Sequence, residues 1–439
     1  MQVHVLVYQL NLLRAMQARG RAAALLPFGV FIALFLGTSL ITKDFYSVSI
    51  MVPFLVAALF AIFTTRGVSM PERMKIFCKG AGDPNIVMMS LIFVLAGAFS
   101  ALARQIGAVD ATVNLGLSIL PQNILVAGLF VIGCFISFSI GTSMGTIVAL
   151  VPIALGVAEK SGNPIALAVG AVVGGAMFGD NLSMISDTTI AATRSQGAEL
   201  RDKFRMNFKV VLPAAIITLA ILLVVSASGG ASTAVASSYS LYKIAPYAAV
   251  LVAALAGANV IVVLVLGLAA AAAIGLVDGS LTFVTMMKTA SDGMMGMADL
   301  VIIALLIGGM VELIRHNGGV DYIIHLISSR VSSRKGAELG IAGLVSTVDA
   351  CTANNTIAIV ACGPIAKNIA HKYNLEPKRV AGIMDMFSCS VQGIIPYGAQ
   401  LLSAATAAAI SPFEIMGYLY YPYLMGIAAL LAILFYKKR

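Results

Sequence analysis

The sequence contains few charged residues for its length. Only 11% of its 439 residues are Asp, Glu, Lys or Arg, whereas 60% are hydrophobic. A soluble globular protein usually carries about 25% charged residues. The low charge content excludes an ordinary soluble fold and predicts a multi-pass membrane protein.

Several chemical signatures are missing as well. The five cysteines are odd in number, show no CxxC or Cys/His spacing, and fall mostly in apolar stretches. This distribution excludes a disulfide framework and a cysteine-based metal site. The sequence also has no Walker loop and no Ser/His/Asp constellation. We therefore predict neither an enzyme nor an ATP-driven pump, and we expect no cofactor. Any transport by this protein should then be driven by an ion gradient.

The net charge of +9 does not indicate nucleic acid as a partner. Lys and Arg stand in short clusters between apolar runs, a distribution that orients membrane segments. Arg14, Arg19 and Arg21 precede the first apolar run, and no clear cleavage site accompanies them. Residues 1–21 are therefore predicted to be a retained cytoplasmic segment. The expected location is the inner (cytoplasmic) cell membrane, where the protein contacts lipid and where a homodimer is one possible assembly.

One segment interrupts the apolar pattern. Residues 178–189 read FGDNLSMISDTT and place Asp180 and Asp187 inside an otherwise apolar run. A charged side chain at bilayer depth costs roughly 2.5 to 3.5 kcal/mol on insertion scales. The segment is therefore expected to face a polar cavity rather than lipid. This pattern predicts an ion or substrate site.

The second half of the chain repeats the first at an offset of about 211 positions, for example from Gly97 to Gly308. The residues that recur at this offset are Gly97, Leu102, Arg104, Gly107, Val109, Asp110, Leu115 and Ser118, which correspond to Gly308, Leu313, Arg315, Gly318, Val320, Asp321, Leu326 and Ser329. Apolar runs at 22–42, 45–64, 84–104 and 208–228 correspond to runs at 244–256, 258–275, 298–314 and 417–436. We therefore predict two transmembrane repeats, at residues 22–230 and 231–439.

Loop charges predict that the two repeats have opposite orientations. Basic clusters assign the loops at 66–79 and 194–205 to the cytoplasm, and the loop at 105–121 without Lys or Arg to the outside. The element that contains segment 141–146 (GTSMGT) has both of its flanking loops on one side of the membrane, and so has the element that contains 351–356 (CTANNT). Neither element should therefore cross, and the two segments are expected to be tips of re-entrant hairpins. The prediction is an all-α fold with ten crossings, two hairpins, two inverted repeats and both termini in the cytoplasm.

Inverted repeats with interrupted helices are typical of secondary transporters, whose binding sites form near the middle of the membrane. Four interruptions are expected to converge, at 141–146, 349–356, 178–189 and 388–400, where helix-breaking Gly or Pro accompanies oxygen-bearing side chains. The candidate ion- or substrate-binding residues are Asp187, Asp180, Asn181, Ser186, Thr188, Thr142, Ser143, Asp349, Thr352, Asn354, Asn355, Tyr397 and Gln400. Asp385 and Glu312 are weaker candidates, because either could pair with a basic residue at a helix end.

Segment 178–189, together with Gly141-Thr142-Ser143 and Gly174-Gly175, resembles the NhaC-type sodium/proton antiporter family of the ion transporter superfamily. The family pattern is close to FGDxxSPxSDTT, and the resemblance covers roughly residues 84–436. It implies cation/proton exchange, with Asp180, Asn181, Ser186, Asp187 and Thr188 at motif positions. Met184 stands where the family usually has Pro, so the first break is expected to depend on Gly179 and on side-chain hydrogen bonds. The family also includes sodium-coupled exchangers of lactate, malate and amino acids, so membership alone does not choose the substrate.

Physical chemistry favours a cation as the substrate. A buried carboxylate among neutral oxygens can hold a proton or exchange it for Na⁺, which prefers oxygen ligands. We therefore predict a sodium/proton antiporter in which Asp187, with Asp180 and Asp349, alternates between H⁺ and Na⁺. The hydroxyls that would complete the ion's shell are those of Thr142, Ser143, Ser186, Thr188 and Thr352.

Two other functions remain open from the sequence. The first is a sodium-coupled carrier of a small organic acid or amino acid, whose anionic group would be held by Asn354, Asn355, Thr352 and nearby helix N-termini. The second is a channel, which would need no alternating access.

Overall fold

The computed structural model describes residues 20–42, 51–119, 122–184, 186–228, 240–256, 258–328 and 333–435. Within these ranges the chain forms 21 α-helices and two short 3-10 helices, with no β-strand. The predicted all-α class is therefore confirmed. The terminal basic clusters, which include Arg14, Arg19 and residues 437–439, lie outside the described residues, so their assignment to the cytoplasm stays a prediction.

The helices fall into two successive sets. The first set is α1 (Leu26–Thr42), α2 (Met51–Thr64), α3 (Met70–Ala81), α4 (Pro84–Gln105), α5 (Ala108–Ile119), α6 (Gln122–Ile140), α7 (Ser143–Ser161), α8 (Ile165–Leu182), α9 (Asp187–Gln196) and α10 (Leu200–Ser228). The second set is α11 (Ala245–Leu255), α12 (Val260–Val277), α13 (Phe283–Met295), α14 (Ala298–His316), α15 (Gly319–Ser328), α16 (Arg334–Thr352), α17 (Asn355–Lys372), α18 (Pro377–Gln392), α19 (Ala399–Ala408), α20 (Pro412–Met416) and α21 (Tyr420–Leu434). The 3-10 helices are Ala22–Leu25 and Leu241–Ile244.

The helices have the length and composition of membrane segments. Six helical segments among the described residues are long and apolar enough to cross a membrane, and five shorter apolar helices accompany them. Large apolar side chains such as Val224 and Val277 are exposed on the outer surface, where a lipid environment would cover them. The chain is therefore a multi-pass membrane protein. The expected count of ten crossings stays a prediction.

Two amphipathic helices were not expected from the sequence. Helix α3 lies in the segment that its basic residues mark as a loop, and α13 lies between two predicted apolar runs. Each packs on a long apolar helix of the other half of the chain. Gly97 of α4 lies so close to α13 that a Cβ atom would stand 2.2 Å from the main-chain oxygen of Gly293. Gly308 of α14 meets Gly80 of α3 in the same way, at 2.7 Å. The repeated glycines Gly97 and Gly308 therefore occupy matching helix crossings.

Helix pairs with a tight turn occur at both predicted hairpins. We call α6 and α7 the first hairpin and α16 and α17 the second hairpin, since the two helices of each pair pack against one another. The first hairpin turns at Gly141, whose φ of 77° suits glycine. The second turns at Ala353, with φ 49°, and the Asn354 side chain accepts a hydrogen bond from the main-chain N–H of Ile357 at 2.9 Å. The expectation that Gly or Pro opens every break is thus wrong at the second hairpin, where an N-cap amide stabilises the turn.

Two further helices are interrupted inside the predicted segments. We call α8 and α9 the first broken helix, with its gap after Leu182, and α18 and α19 the second broken helix, with its gap at residues 393–398. Pro396 lies in the second gap and removes a main-chain donor there. Gly179 does not open the first gap, because it lies within α8 and packs on α6, where a Cβ atom would stand 2.4 Å from the oxygen of Cys134. Side-chain hydrogen bonds stabilise the first gap instead.

Candidate functional site

The two hairpin tips and both broken helices surround one cavity of about 220 Å³. Residues of α4 and the start of α12 complete its wall. Nine of the predicted site residues line it, namely Thr142, Ser143, Asp180, Ser186, Asp187, Thr188, Asn354, Asn355 and Gln400. The sequence therefore identified the elements that meet at the cavity.

Asp180 connects the first hairpin to the first broken helix. It lies in the last turn of α8 and is 5% exposed. Its Oδ2 atom accepts hydrogen bonds from the main-chain N–H of Ser143 at 3.2 Å and from the Ser143 hydroxyl at 2.7 Å. Its Oδ1 atom accepts one from the Ser186 hydroxyl at 2.6 Å. All three donors are neutral, so no side chain neutralises this carboxylate by direct contact.

The start of α9 supplies further oxygens to the same place. The hydroxyls of Ser186 and Thr188 lie 2.9 Å apart and are both buried. Asp187 is the first residue of α9, where the helix dipole favours a negative charge. Its side chain is exposed and lines the cavity. The two carboxylates of the motif therefore have different surroundings, since Asp180 is enclosed by donors and Asp187 is open.

Two glutamines join the second repeat to this cluster. Gln400, in the first turn of α19, donates from Nε2 to the Ser143 hydroxyl at 3.2 Å. Gln392, the last residue of α18, donates to Gln400 Oε1 at 2.7 Å and to the main-chain oxygen of Ala353 at 3.1 Å. A continuous chain of hydrogen bonds thus runs from Asp180 through both breaks to the tip of the second hairpin.

The second hairpin contributes amides to the opposite wall. Asn354 and Asn355 both line the cavity, but their Oδ1 atoms are occupied by local bonds to the main-chain N–H groups of Ile357 and Thr356. Thr352 donates to the oxygen of Asn354 at 3.2 Å and lines a smaller apolar cavity of about 30 Å³ beside the first. This wall presents mainly amide groups that the backbone already holds in place.

Four predicted residues do not line the main cavity. Thr352 and Tyr397 lie at the smaller one, where the Tyr397 hydroxyl donates to the oxygen of Ala350 at 2.8 Å. Asn181 turns away from the cavity and donates to Asp385 Oδ2 at 2.8 Å. Asp349 is fully buried in α16, and neither of its carboxylate oxygens has a hydrogen-bond partner among the described residues.

The sequence missed several residues of the site. Asn259, Thr356 and Gln392 line the cavity, and each is a polar residue at a helix end that the sequence did not distinguish from a cap. Lys203 was interpreted as a charge in a connecting loop, and this interpretation is wrong. It lies in α10, is completely buried and forms an ion pair with Asp385.

The two weaker candidates for the binding site, Asp385 and Glu312, both form ion pairs. Asp385 pairs with Lys203, and Glu312 pairs with Lys79 at 2.9 Å near the surface. Neither lines the main cavity among the residues described for it. The alternative that these two carboxylates pair with basic residues is therefore confirmed.

The cavity is negatively charged. Among the described residues, its lining includes the carboxylates of Asp180 and Asp187 but no Lys, Arg or His. Walls of low dielectric concentrate the field of such charges and raise the local concentration of cations. The remaining polar groups are hydroxyls and amides, which are the oxygen ligands that hard cations prefer. The arrangement suits a small cation as substrate better than an anion.

Comparison with known proteins agrees with this chemistry. The model of the Na⁺/H⁺ antiporter family matches residues 10–228 and again residues 226–436. The chain belongs to the Na⁺/H⁺ antiporter family. The family resemblance seen in segment 178–189 is therefore confirmed.

The curated relatives of the chain are distant in sequence. The Na⁺/H⁺ antiporter NhaC of Alkalihalophilus pseudofirmus is 26% identical and aligns over 94% of this chain and 94% of its own length. NhaC of Bacillus subtilis is 24% identical over 81% of this chain and 85% of its own. The malate-2H⁺/Na⁺-lactate antiporter of Bacillus subtilis is 28% identical, over 45% of this chain and 41% of its own. The alignments with the first two cover most of this chain.

Proposed function

We propose that this protein exchanges Na⁺ for H⁺ across the membrane and that the two ions compete for Asp180. The observation that carries the proposal is the environment of this carboxylate. Asp180 is buried at the wall of a negatively charged cavity, and its direct partners are the neutral groups of Ser143 and Ser186. A buried carboxylate in such a place is stabilised by binding either a proton or a cation. Family membership supports the same exchange.

The two serine hydroxyls allow Asp180 to serve both ions. A hydroxyl can donate to a carboxylate, or turn its hydrogen away and offer a lone pair to a cation. The Ser143 hydroxyl already accepts a hydrogen bond from Gln400, and the Ser186 hydroxyl lies beside that of Thr188. When Na⁺ occupies the site, Asp180 and both hydroxyl oxygens can coordinate it. When Asp180 is protonated, its own O–H can donate to one of the same hydroxyls, so the two states exclude one another.

Asp187 has a different role in the proposal. Its exposed carboxylate at the start of α9 attracts cations into the cavity and contributes to coordination without being enclosed. Asp349 is set aside as a direct ligand in this state, because it lies behind the hairpin tip and does not line the cavity.

Alternating access in the proposal arises from two inverted repeats, at residues 22–230 and 231–439. The separate matches of one family model to residues 10–228 and 226–436 support the duplication, and the matching crossings of Gly97 and Gly308 support equivalent packing in the two halves. A rocking motion of the hairpins and broken helices against the outer helices would expose Asp180 to one side and then the other.

The inverted orientation is tested by cysteine labelling in a variant from which the exposed Cys78 has been removed. Glu159 and Lys372 are exposed residues at the far ends of the two hairpins. A membrane-impermeant maleimide added to intact cells should label Glu159→Cys, whereas Lys372→Cys should be labelled only in everted vesicles. Labelling of both from the same side contradicts inverted repeats.

The exchange is tested in everted membrane vesicles that carry a respiration-driven pH gradient. Addition of Na⁺ should dissipate the gradient with no organic solute present, and Asp180→Asn should abolish this response. Asp292→Asn is the matched control, because Asp292 is an exposed carboxylate on α13 that does not line the cavity. If Na⁺ acts only together with a carboxylate or amino acid, the antiporter proposal fails and the organic-solute carrier replaces it.

A further inference from the structure

Lys203 connects both halves of the first broken helix to the second broken helix. Its side chain is 1% exposed, although it belongs to the first turn of α10. The ammonium group donates to the main-chain oxygen of Asn181 at the end of α8 and to the Thr189 hydroxyl in the first turn of α9, the latter at 2.7 Å. It also forms an ion pair with Asp385 of α18. An ammonium has three hydrogens to donate, and these contacts use all of them.

Asp385 is held by more than the lysine. Its Oδ2 atom accepts hydrogen bonds from the side-chain amides of Asn181, at 2.8 Å, and Asn207, at 3.5 Å. The residue is completely buried. A buried carboxylate with a hydrogen-bonded ammonium partner is stable in its ionised form, whereas removal of either partner leaves an uncompensated charge.

The two buried carboxylates around the first break therefore have different partners. Asp180 has only neutral donors from Ser143 and Ser186, whereas Asp385 has a full positive charge beside it. Asn181, the chain neighbour of Asp180, donates to Asp385 at 2.8 Å, so the two carboxylates lie close to one another. Without Lys203, both carboxylates would need a proton or a cation. With Lys203, one of them is neutralised within the protein.

We propose that Lys203 is a positioning residue of the transport site, which neutralises Asp385 and thereby leaves Asp180 as the carboxylate that exchanges Na⁺ and H⁺. The proposal rests on the function proposed above. Among the described residues, the other titratable groups near Asp385 include Asp180, Cys389 from the same helix and Tyr421 from α21, and Asp349 from α16 lies near Cys389. None of these groups carries a positive charge, so the positive charge that compensates Asp385 comes from Lys203.

The test compares Lys203→Met, Asp385→Asn and the double variant K203M/D385N in everted vesicles. The measured quantities are the Na⁺ concentration for half-maximal response at alkaline pH and its dependence on pH. Loss of the lysine charge strengthens binding of both Na⁺ and H⁺ at Asp180. The Na⁺ concentration for half-maximal response should therefore fall, and the onset of transport should move to higher pH. Loss of the Asp385 charge leaves the ammonium to repel cations, so half-saturation should rise. We expect about a tenfold change in each direction.

The double variant restores electrical balance without the ion pair. It should bring Na⁺ half-saturation and the pH profile to within about threefold of the wild-type values, as expected of two compensating charges. Because it buries no unpaired charge, it can overturn the proposal even if K203M does not fold. Single variants that shift in the same direction, or a folded double variant that is shifted more than about threefold, overturn the proposal. Failure of the wild-type protein to respond to Na⁺ is a different outcome and contradicts the proposed function instead.

A second buried ion pair provides the matched control. Arg379 of α18 donates to Glu338 of α16 at 2.6 and 2.7 Å, and the side chains are 7% and 3% exposed. Neither residue lines the cavity. The double variant R379M/E338Q should alter thermal stability while leaving Na⁺ half-saturation and the pH profile unchanged. If it shifts both as K203M does, the effect of Lys203 is structural and the proposal is overturned.

Discussion

Replacement of Ser143 by Ala should weaken Na⁺ binding without unfolding the protein. The Ser143 hydroxyl donates to Asp180 at 2.7 Å and accepts from Gln400 at 3.2 Å, while the main-chain N–H of residue 143 makes its own bond to Asp180 at 3.2 Å. The variant keeps the main-chain bond and loses the hydroxyl. It removes one ligand from Na⁺ and one donor from the carboxylate, so protonation of Asp180 is favoured over Na⁺ binding.

The size of the effect follows from the kind of hydrogen bond that is lost. A hydrogen bond to a charged group contributes about 1.5 to 3 kcal/mol, and each 1.4 kcal/mol is tenfold in affinity. Ser143→Ala should therefore raise the Na⁺ concentration for half-maximal response about 10- to 150-fold. The onset of transport should move to higher pH by roughly one to two units, since one pH unit corresponds to 1.36 kcal/mol.

The assay is Na⁺-driven collapse of a pH gradient in everted vesicles, measured over a series of Na⁺ concentrations and pH values. Ser139→Ala is the matched control, because the Ser139 hydroxyl lies one turn earlier on the same hairpin and bonds only locally, to the oxygen of Phe135 at 2.8 Å. The control should behave as wild type. If Ser143→Ala also stays within twofold of wild type in both quantities, the Ser143 hydroxyl is not part of the ion site and the reasoning is refuted.

Two further predictions concern the cavity mouth and the helix packing. Asp187→Asn should raise Na⁺ half-saturation only about two- to tenfold, and less at high ionic strength, because its exposed carboxylate is screened by solvent ions; an effect independent of salt would contradict this. Gly175→Ala should lower thermal stability in detergent by about 1 to 3 kcal/mol, because its Cβ atom would stand 2.2 Å from the oxygen of Phe130. Gly128→Ala, on the helix that packs against Gly175, should not lower the stability, because nothing lies within 4 Å of its Cβ position. Equal stability of the two variants would refute the packing argument.

The sequence predicted the four interruptions because each one violates an apolar helix pattern locally. Small and polar residues around Gly141 and Asp180 stand out where lipid-facing residues are expected, and the duplication extends the same inference to the second half. The structure indeed interrupts a helix within each predicted segment. Local signals of this kind do not give the direction of a side chain. Neighbours Asp180 and Asn181 therefore both looked like site residues, although one lines the cavity and the other bonds to Asp385.

The features of the fold and of the site that could not be predicted depend on contacts between residues distant in the chain. Lys203 stands among other basic residues before an apolar run, which is also the pattern of an orienting loop charge, and its partner Asp385 is 182 positions away. The pairing of Gln392 with Gln400 depends on the shape of the second break. Helix α13 is amphipathic, and its close packing against Gly97 depends on contacts between the two halves of the chain.

The central claim is that Na⁺ and H⁺ compete for the carboxylate of Asp180. The most direct measurement is proton release by the purified protein in weakly buffered detergent solution when Na⁺ is added, followed with a pH indicator. The wild-type protein should release protons in a saturable manner. In the pH range where Asp180 is mostly protonated, the Na⁺ concentration required should rise about tenfold for each unit that the pH falls, as expected for competition at one site. Asp180→Asn should release none. Undiminished release from a folded Asp180→Asn protein would contradict the account.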